Sequence, residues 1–276
     1  MTILDLLLPA FVASLILTGI HAYLGVHVVE RGVIFVDLSL AQIAALGTTV
    51  AYLAGYDLHS TAAYLFSLAF TFLGAAIFAL SRVHRSTRIP QEAVIGIVYA
   101  VSAAVAILVM SKATQETEHL KEMLVGNVLS VTWPELARTA VLYAAVGVFH
   151  YFCRERFLTI SMHEEEAVRR GYNIRFWDFL FYVSFGFVVT SSVAIAGVLL
   201  VFCFLIVPSV AAMLFAERLG PRLALGWGMG ALVSAGGVAL SFFLDLPTGA
   251  TIVATFGAAL FLLAGVCWAF RRQVQP

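Results

Sequence analysis

Charged residues are scarce in this 276-residue chain: Asp, Glu, Lys and Arg make up 12% of it, against roughly 25% in soluble globular domains. The hydrophobic fraction is 62% and the mean hydropathy is +0.98, which argues against a water-soluble fold. Basic and acidic residues number 16 each and cancel, so the net charge gives no indication of nucleic-acid binding. The N-terminus lacks the basic cluster of a secretory signal, so we expect the first apolar segment to remain as a membrane helix.

Several motifs of enzyme and metal chemistry are also missing. The three cysteines, Cys153, Cys203 and Cys267, are far apart in or beside apolar segments, so the sequence predicts neither a disulfide framework nor a thiolate metal cluster. Neither a nucleophile paired with a base nor an HExxH helix is present, which argues against an intramembrane enzyme. The chain also has no GxxxxGK[ST] loop, so any ATP that powers it must be bound by another chain.

Long apolar runs make up most of the sequence. Since a membrane-crossing helix needs about 20 apolar residues, the runs predict an all-α bundle of about nine transmembrane helices in a single domain over residues 1–276. The stretch from Phe179 to Ala216 lacks charged residues and histidine and would be roughly 57 Å long as one helix, so we expect a turn at Ala196-Gly197. The predicted helices lie near residues 3–26, 33–54, 62–81, 93–110, 136–152, 179–195, 198–216, 223–243 and 251–270.

Basic residues are distributed unevenly between the two sets of alternating loops. One set, with the C-terminus, carries 13 of the 16 Lys and Arg residues, and the other set carries only Lys112, Lys121 and Arg138. Because basic residues are enriched in cytoplasmic loops, this asymmetry predicts an N-terminus outside and a C-terminus in the cytoplasm. The external segment 112–133 is expected to be a solvated loop, with contact to a partner protein as the alternative.

Three polar side chains within the predicted helices, His21, Asp37 and Gln42, are candidate site residues, because an Asp at the centre of a membrane helix costs roughly 2.5 to 3.5 kcal/mol. His21 and Asp37 flank the first cytoplasmic turn at similar distances along the chain, so they lie at similar depth in antiparallel helices. Gln42 shares the helix of Asp37 but points about 140° away. One hypothesis is a transient site for Zn²⁺ or Mn²⁺ formed by Asp37, His21 and Gln42, since carboxylate and imidazole suit both ions. In the alternative, His21 and Asp37 are structural groups that satisfy each other or a backbone group near the cytoplasmic membrane face.

Residues 161–171, in the longest loop of the Arg-rich set, predict a short helix with its own caps. Ser161 and Glu164 have the spacing of a capping box, and Gly171 suits the left-handed position after a helix end. Three glutamates at the start and two arginines at the end complement the helix dipole. The segment is either a solvated surface helix or a rigid element that a cytoplasmic partner contacts.

Five segments of the sequence carry a family resemblance. They are Arg31 to Gly47, Leu124 to Leu129, Glu165 to Asn173, Gly197 to Val201 with Ile206 to Pro208, and Asp245 to Ala250. Together they resemble the metal-ion permease family of ABC importers, the membrane subunits of zinc and manganese uptake systems, over nearly the whole chain. In that family an Asp on the second helix is followed one turn later by a His. This chain keeps Asp37 but has Ala41 and Gln42 there, so the His does not carry over.

The resemblance implies a permease subunit for zinc or manganese that is not an enzyme and holds no permanent cofactor. Two copies would assemble in a bacterial cytoplasmic membrane with two ATPase subunits that use the ATP and an external metal-binding protein. The coupling helix of the family matches Glu165, Glu166, Ala167 and Gly171, which are therefore expected to contact the ATPase. The alternatives are a secondary transporter and a permease for another small solute, such as a metal chelate. A secondary transporter would need coupling charges that the last four helices almost lack.

Overall fold

The structure, a computed structural model, describes residues 3–57, 60–82, 89–111 and 128–274, and these ranges contain helices and no β-strand. A one-turn 3₁₀ helix lies at Val128–Ser130. The α-helices are α1 (Ile3–Arg31), α2 (Val36–Leu53), α3 (Thr61–Leu80), α4 (Gln91–Met110), α5 (Trp133–Phe152), α6 (Arg154–Met162), α7 (Glu164–Arg169), α8 (Ile174–Phe215), α9 (Leu219–Leu244) and α10 (Thr248–Val274). The all-α prediction is thus confirmed for the described part of the chain.

Seven of the described helices are long and apolar enough to cross a membrane, and the count rises to eight if α5 and α6, bent by 76° at their junction, form one span. Helix α8 is interrupted at Gly197, whose φ of 73° and ψ of 163° are not helical. The break lies at the predicted Ala196-Gly197 turn. The count of nine spans and the orientation of the termini stay predictions.

Residue contacts divide the chain into two compact units, each made of separate stretches. Unit 1 comprises Met1–Val29, Leu124–Val141 and Ile195–Pro276, and unit 2 comprises Glu30–Met123 and Leu142–Ala194. The prediction of one membrane domain over residues 1–276 stays a prediction.

Unit 1 is held together by close approaches between helices at small residues. At Gly25 in α1, an added Cβ would overlap the carbonyl oxygen of Leu205 and the hydroxyl of Ser209 in α8. The Ser209 hydroxyl donates to the carbonyl oxygen of Ala22 at 3.1 Å. Deeper in this unit, the buried rings of Phe204 and Phe256 pack edge to face with centroids 5.6 Å apart. Glycine at position 25 therefore lets two backbones touch, as is common where membrane helices cross.

In unit 2, α2 packs against both α3 and α4. An added Cβ at Gly47 would lie 2.7 Å from the carbonyl oxygen of Phe66, so α2 and α3 also approach closely. Helix α3 begins at Ser60, whose hydroxyl accepts a hydrogen bond from the amide of Ala63 at 3.1 Å, a standard N-cap. The start of α2 is stabilised by a more distant residue: the Glu92 carboxylate, at the start of α4, accepts from the amide of Phe35 at 2.9 Å. This packing holds the first turn of α2, which carries Asp37, in place.

Candidate functional site

Asp37 is a buried carboxylate in the first turn of α2, with 1% of its surface exposed. Its Oδ1 atom has no hydrogen-bond partner among the residues that the structure describes. Ala41 and Ala44, one and two turns further along the same face, are also buried, as the helical spacing predicted. A buried polar atom without a partner is costly, so this oxygen is a natural ligand for a cation.

Hydroxyl groups of unit 2 lie in the neighbourhood of Asp37. The carboxylate interacts electrostatically with Tyr143 on α5, a side chain that is 5% exposed. The Tyr143 hydroxyl forms a short hydrogen bond with Ser192 and receives one from Ser191 at 3.4 Å. Among the described residues Asp37 forms no ion pair, and the group it interacts with is a hydroxyl, an arrangement that suits a hard or borderline metal ion.

His21 lies in α1 and is fully buried. Its Nδ1 atom is 2.7 Å from the carbonyl oxygen of Leu17, and a carbonyl only accepts, so Nδ1 carries the proton. In the neutral imidazole Nε2 then has the lone pair, which is how many metal-binding histidines are oriented. His21 belongs to unit 1 and Asp37 to unit 2, so their pairing stays a prediction.

Gln42 is half-buried on the same helix as Asp37. Because α2 runs as one helix through both positions, the two side chains leave it about 140° apart. The participation of Gln42 in a shared site therefore also stays a prediction. In the part of the chain that the structure describes, no three His, Cys, Asp or Glu side chains converge in a metal-binding arrangement, and the three cysteines are free.

The predicted helix over residues 161–171 is divided differently in the structure. Ser161 ends up in α6, and His163 (φ −137°, ψ 60°) separates α6 from the six-residue α7. The capping box of Ser161 and Glu164 is therefore wrong. Both side chains are engaged by distant residues instead: Ser161 accepts from Arg31 Nε at 2.8 Å, and Glu164 pairs with Arg82 at 3.2 Å.

The end of α7 is formed as predicted. Gly171 has a φ of +71°, the left-handed conformation that glycine adopts without strain. Its amide donates to the carbonyl oxygen of Val168 at 3.0 Å, and the amide of Tyr172 donates to that of Ala167 at 3.1 Å. These two bonds are the Schellman motif, which terminates α7 sharply and confirms the sequence interpretation of Gly171.

The residues predicted to contact the ATPase lie on different faces of α7. Ala167 is fully buried, so it anchors the helix instead of facing a partner. Glu165 is exposed, and the half-buried Glu166 forms a short ion pair with Arg170. Val168, three residues after Glu165, is 47% exposed. Helix α7 therefore presents an acidic, an apolar and a basic side chain outward from a buried alanine: Glu165, Val168 and Arg169.

Sequence reasoning assigned no role to Asp178, near the start of α8. This residue is fully buried and pairs with Arg31 at 2.6 Å and with Arg82 at 2.5 Å. Its signal in the sequence is its position: Asp178 is the last acidic residue before the long uncharged stretch, and both arginines stand at helix ends. The contact of Asp178 with the two arginines depends on the packing of three helix ends that are far apart along the chain, so no local pattern predicts it.

The chain is similar to known membrane proteins over most of its length. The model of a family described as ABC 3 transport family matches residues 3–267. A Haemophilus influenzae protein named "Probable iron transport system membrane protein" is 29% identical over 255 residues, covering 92% of this chain and 91% of that protein. The manganese transport system membrane protein MntC of Listeria innocua is 26% identical, covering 88% and 84%. Among solved structures, PsaBC from Streptococcus pneumoniae, in complex with a Fab, superposes with a TM-score of 0.74 at 22% identity, covering 93% and 90%, so the fold is shared.

Proposed function

Because the chain belongs to the ABC 3 transport family, we propose that it conducts divalent transition-metal ions, zinc or manganese, through a bacterial cytoplasmic membrane. The chain is a multi-pass membrane permease and not itself an enzyme; the ATPase is a separate component. Relatives that carry manganese and iron in their names support a first-row transition metal as the substrate. The metal is cargo and not a resident cofactor.

The proposed assembly contains two copies of this permease, two cytoplasmic ATPase subunits that use the ATP, and an external metal-binding protein that delivers the ion. Glu165 and Glu166, on or beside the outward face of α7, are proposed to contact the ATPase, with Ala167 and Gly171 holding the helix in shape. Since a Schellman motif ends α7 and the ion pair of Glu164 with Arg82 holds its start, the helix can act as a rigid element in that contact.

The observation that carries the metal assignment is the buried Oδ1 atom of Asp37 without a partner among the described residues. A carboxylate in the apolar part of a membrane protein costs roughly 2.5 to 3.5 kcal/mol even on lenient insertion scales, so it marks a functional position by default. A passing cation offsets that cost each time it binds. We propose His21 and Gln42 as further ligands, with water completing the coordination, because a closed cage would hold the ion too tightly to release it.

The experiment compares Asp37→Asn with the wild type in vesicles that contain the complete complex, with uptake of ⁶⁵Zn²⁺ or ⁵⁴Mn²⁺ as the measurement. Asparagine keeps the shape and removes the charge, so we expect uptake to fall by about tenfold or more, which corresponds to at least ~1.4 kcal/mol. Thr49→Val is the matched control, because the buried Thr49 hydroxyl on the same helix donates to its own backbone at Ala45, 2.8 Å away. This control should transport normally.

Wild-type uptake of both ions by Asp37→Asn would show that the carboxylate is structural and the proposed site is wrong. Uptake of a metal chelate in place of free ions by the wild-type complex would favour the alternative substrate class. Supplying the metal free and chelated in parallel separates these results.

A further inference from the structure

Four charged side chains of unit 2 form a mostly buried ion cluster, which we call the Asp178 cluster: Arg31, Arg82, Glu164 and Asp178. Asp178 Oδ1 pairs with Arg31 at 2.6 Å, and Asp178 Oδ2 pairs with Arg82 at 2.5 Å. Arg82 also pairs with Glu164 at 3.2 Å. Exposure of the side chains is 1% for Arg31, 0% for Asp178, 10% for Arg82 and 19% for Glu164. Two positive and two negative groups balance, as buried charges require.

The cluster joins four different elements. Arg31 is the last residue of α1, Arg82 follows α3, Glu164 is the first residue of α7, and Asp178 lies in the second turn of α8. The guanidinium of Arg31 also lies 4.0 Å from the ring centroid of Phe181, which fixes its plane. Helix α7 is thereby tied by charge to helix ends of the membrane part.

The two ends of the cluster adjoin the two functional regions. Glu164 directly precedes Glu165 and Glu166, the residues proposed to contact the ATPase. Arg31 stands six positions before Asp37, and the short connection between them is itself held by a hydrogen bond from Val36 N to Val33 O at 3.1 Å. Glu164, Arg82, Asp178 and Arg31 thus form a continuous series of ion pairs from α7 to a residue six positions before Asp37.

We propose that the Asp178 cluster transmits the position of α7 to the helix that carries Asp37, with Asp178 and Glu164 as positioning residues for transport. The proposal rests on the proposed function, in which α7 contacts an ATPase. Its physical basis is a continuous series of charged contacts of 2.5 to 3.2 Å between named groups, through which movement at one end changes the energy at the other.

The cluster could instead have a purely structural role, in which it only holds the four elements together. A structural role and a role in transmission predict different results. If the role is structural, a substitution in the cluster lowers metal transport and ATP hydrolysis in proportion, because fewer complexes remain intact. Loss of transmission lowers the metal transported per ATP hydrolysed while hydrolysis continues. Glu164→Gln separates these cases best, since it removes the charge of Glu164 from the cluster and leaves both ion pairs of Asp178 in place.

The experiment uses the complete complex, purified from its native membrane through a tag on this chain and reconstituted in vesicles with ⁵⁴Mn²⁺ or ⁶⁵Zn²⁺. Metal uptake and ATP hydrolysis are measured for Glu164→Gln, for Asp178→Asn and for the control Glu155→Gln. Glu155 is a good control because it pairs with Arg170 at 2.9 Å on the same pair of short helices, is 73% exposed and stands outside the cluster. Thermal unfolding of each complex is recorded alongside.

We expect Glu164→Gln to lower the metal transported per ATP by about fivefold or more, the lower range of measured couplings between sites, with an unchanged unfolding midpoint. Asp178→Asn should lower the ratio at least as much, and Glu155→Gln should match the wild type. An unchanged ratio in Glu164→Gln, or equal losses of transport and hydrolysis, overturns the proposal even if Asp178→Asn fails to fold.

A further variant keeps this result separate from the proposed function. Exchanging both Glu165 and Glu166 for Lys tests whether α7 contacts the ATPase at all. If that double variant uncouples hydrolysis and Glu164→Gln does not, the cluster proposal fails and the proposed function stands. If neither the double variant nor Glu164→Gln has an effect, α7 is not the coupling element, and both the cluster proposal and the proposed ATPase contact fail.

Discussion

Replacing Gly171 by alanine changes one backbone position at the end of α7. The residue has a φ of +71°, and an added Cβ would meet no atom within 4 Å, so the substitution introduces strain without a steric clash. An alanine in the left-handed region costs roughly 1 to 2 kcal/mol. Asparagine tolerates this conformation better than alanine, so Gly171→Asn should cost less than Gly171→Ala.

That cost falls on a helix with little stability of its own. Helix α7 has six residues, well below the length at which an isolated helix persists in water, so its cap contributes much of its order. A loss of 1 to 2 kcal/mol corresponds to a factor of about 5 to 30 in the ratio of ordered to disordered helix. If the ATPase binds only the ordered helix, its affinity falls by at most that factor.

The assay is a titration of the detergent-solubilised permease with its ATPase, read as binding affinity. We expect affinities in the order glycine, asparagine, alanine. Gly96→Ala in α4 is the control, because its Cβ also meets nothing within 4 Å but its backbone is helical, where alanine stabilises by ~0.5 to 1 kcal/mol. Equal affinities for the glycine, asparagine and alanine forms would refute the reasoning.

Two further predictions concern topology and packing. A phosphatase reporter fused after Arg272 should stay inactive, because the excess of basic residues places the C-terminus in the cytoplasm; activity on the external side would contradict the orientation. Gly25→Ala should lower the free energy of unfolding in detergent by ~1 to 3 kcal/mol, because the added Cβ overlaps the backbone of Leu205. Gly19→Ala on the same helix should raise this free energy by ~0.5 to 1 kcal/mol, because its Cβ meets no atom within 4 Å. Equal midpoints for the two variants would contradict the close crossing of α1 and α8.

The membrane helices were predictable from sequence because a helix surrounded by lipid must consist of about 20 mostly apolar residues. The helices expected near 62–81 and 93–110 are found at Thr61–Leu80 and Gln91–Met110, and the break expected at Ala196-Gly197 falls at Gly197. An uncharged stretch longer than the bilayer is thick must break somewhere, and glycine is the residue that allows it.

The two ends of α7 show where prediction from sequence stops. The C-terminal end was predictable because the Schellman motif uses only neighbouring backbone groups and Gly171. The N-terminal end was not, because Ser161 and Glu164 bond to Arg31 and Arg82, residues about 80 to 130 positions away, instead of capping a helix. Asp178 was missed for the same reason. The burial of Asp37 was expected from its neighbours on α2, while its pairing with His21 stays a prediction, because no local pattern encodes how distant helices pack.

Sharing one carboxylate between two arginines also constrains how this region can evolve. If Asp178 alone becomes neutral, two buried guanidinium groups lose their common counter-ion, and if either arginine alone is lost, the charge balance shifts. Single substitutions at these three positions are therefore each disfavoured. A concerted exchange to apolar residues of similar size is energetically open only if Glu164, the partner of Arg82, becomes neutral as well. Natural variants should therefore change the four positions of the cluster together or keep all four.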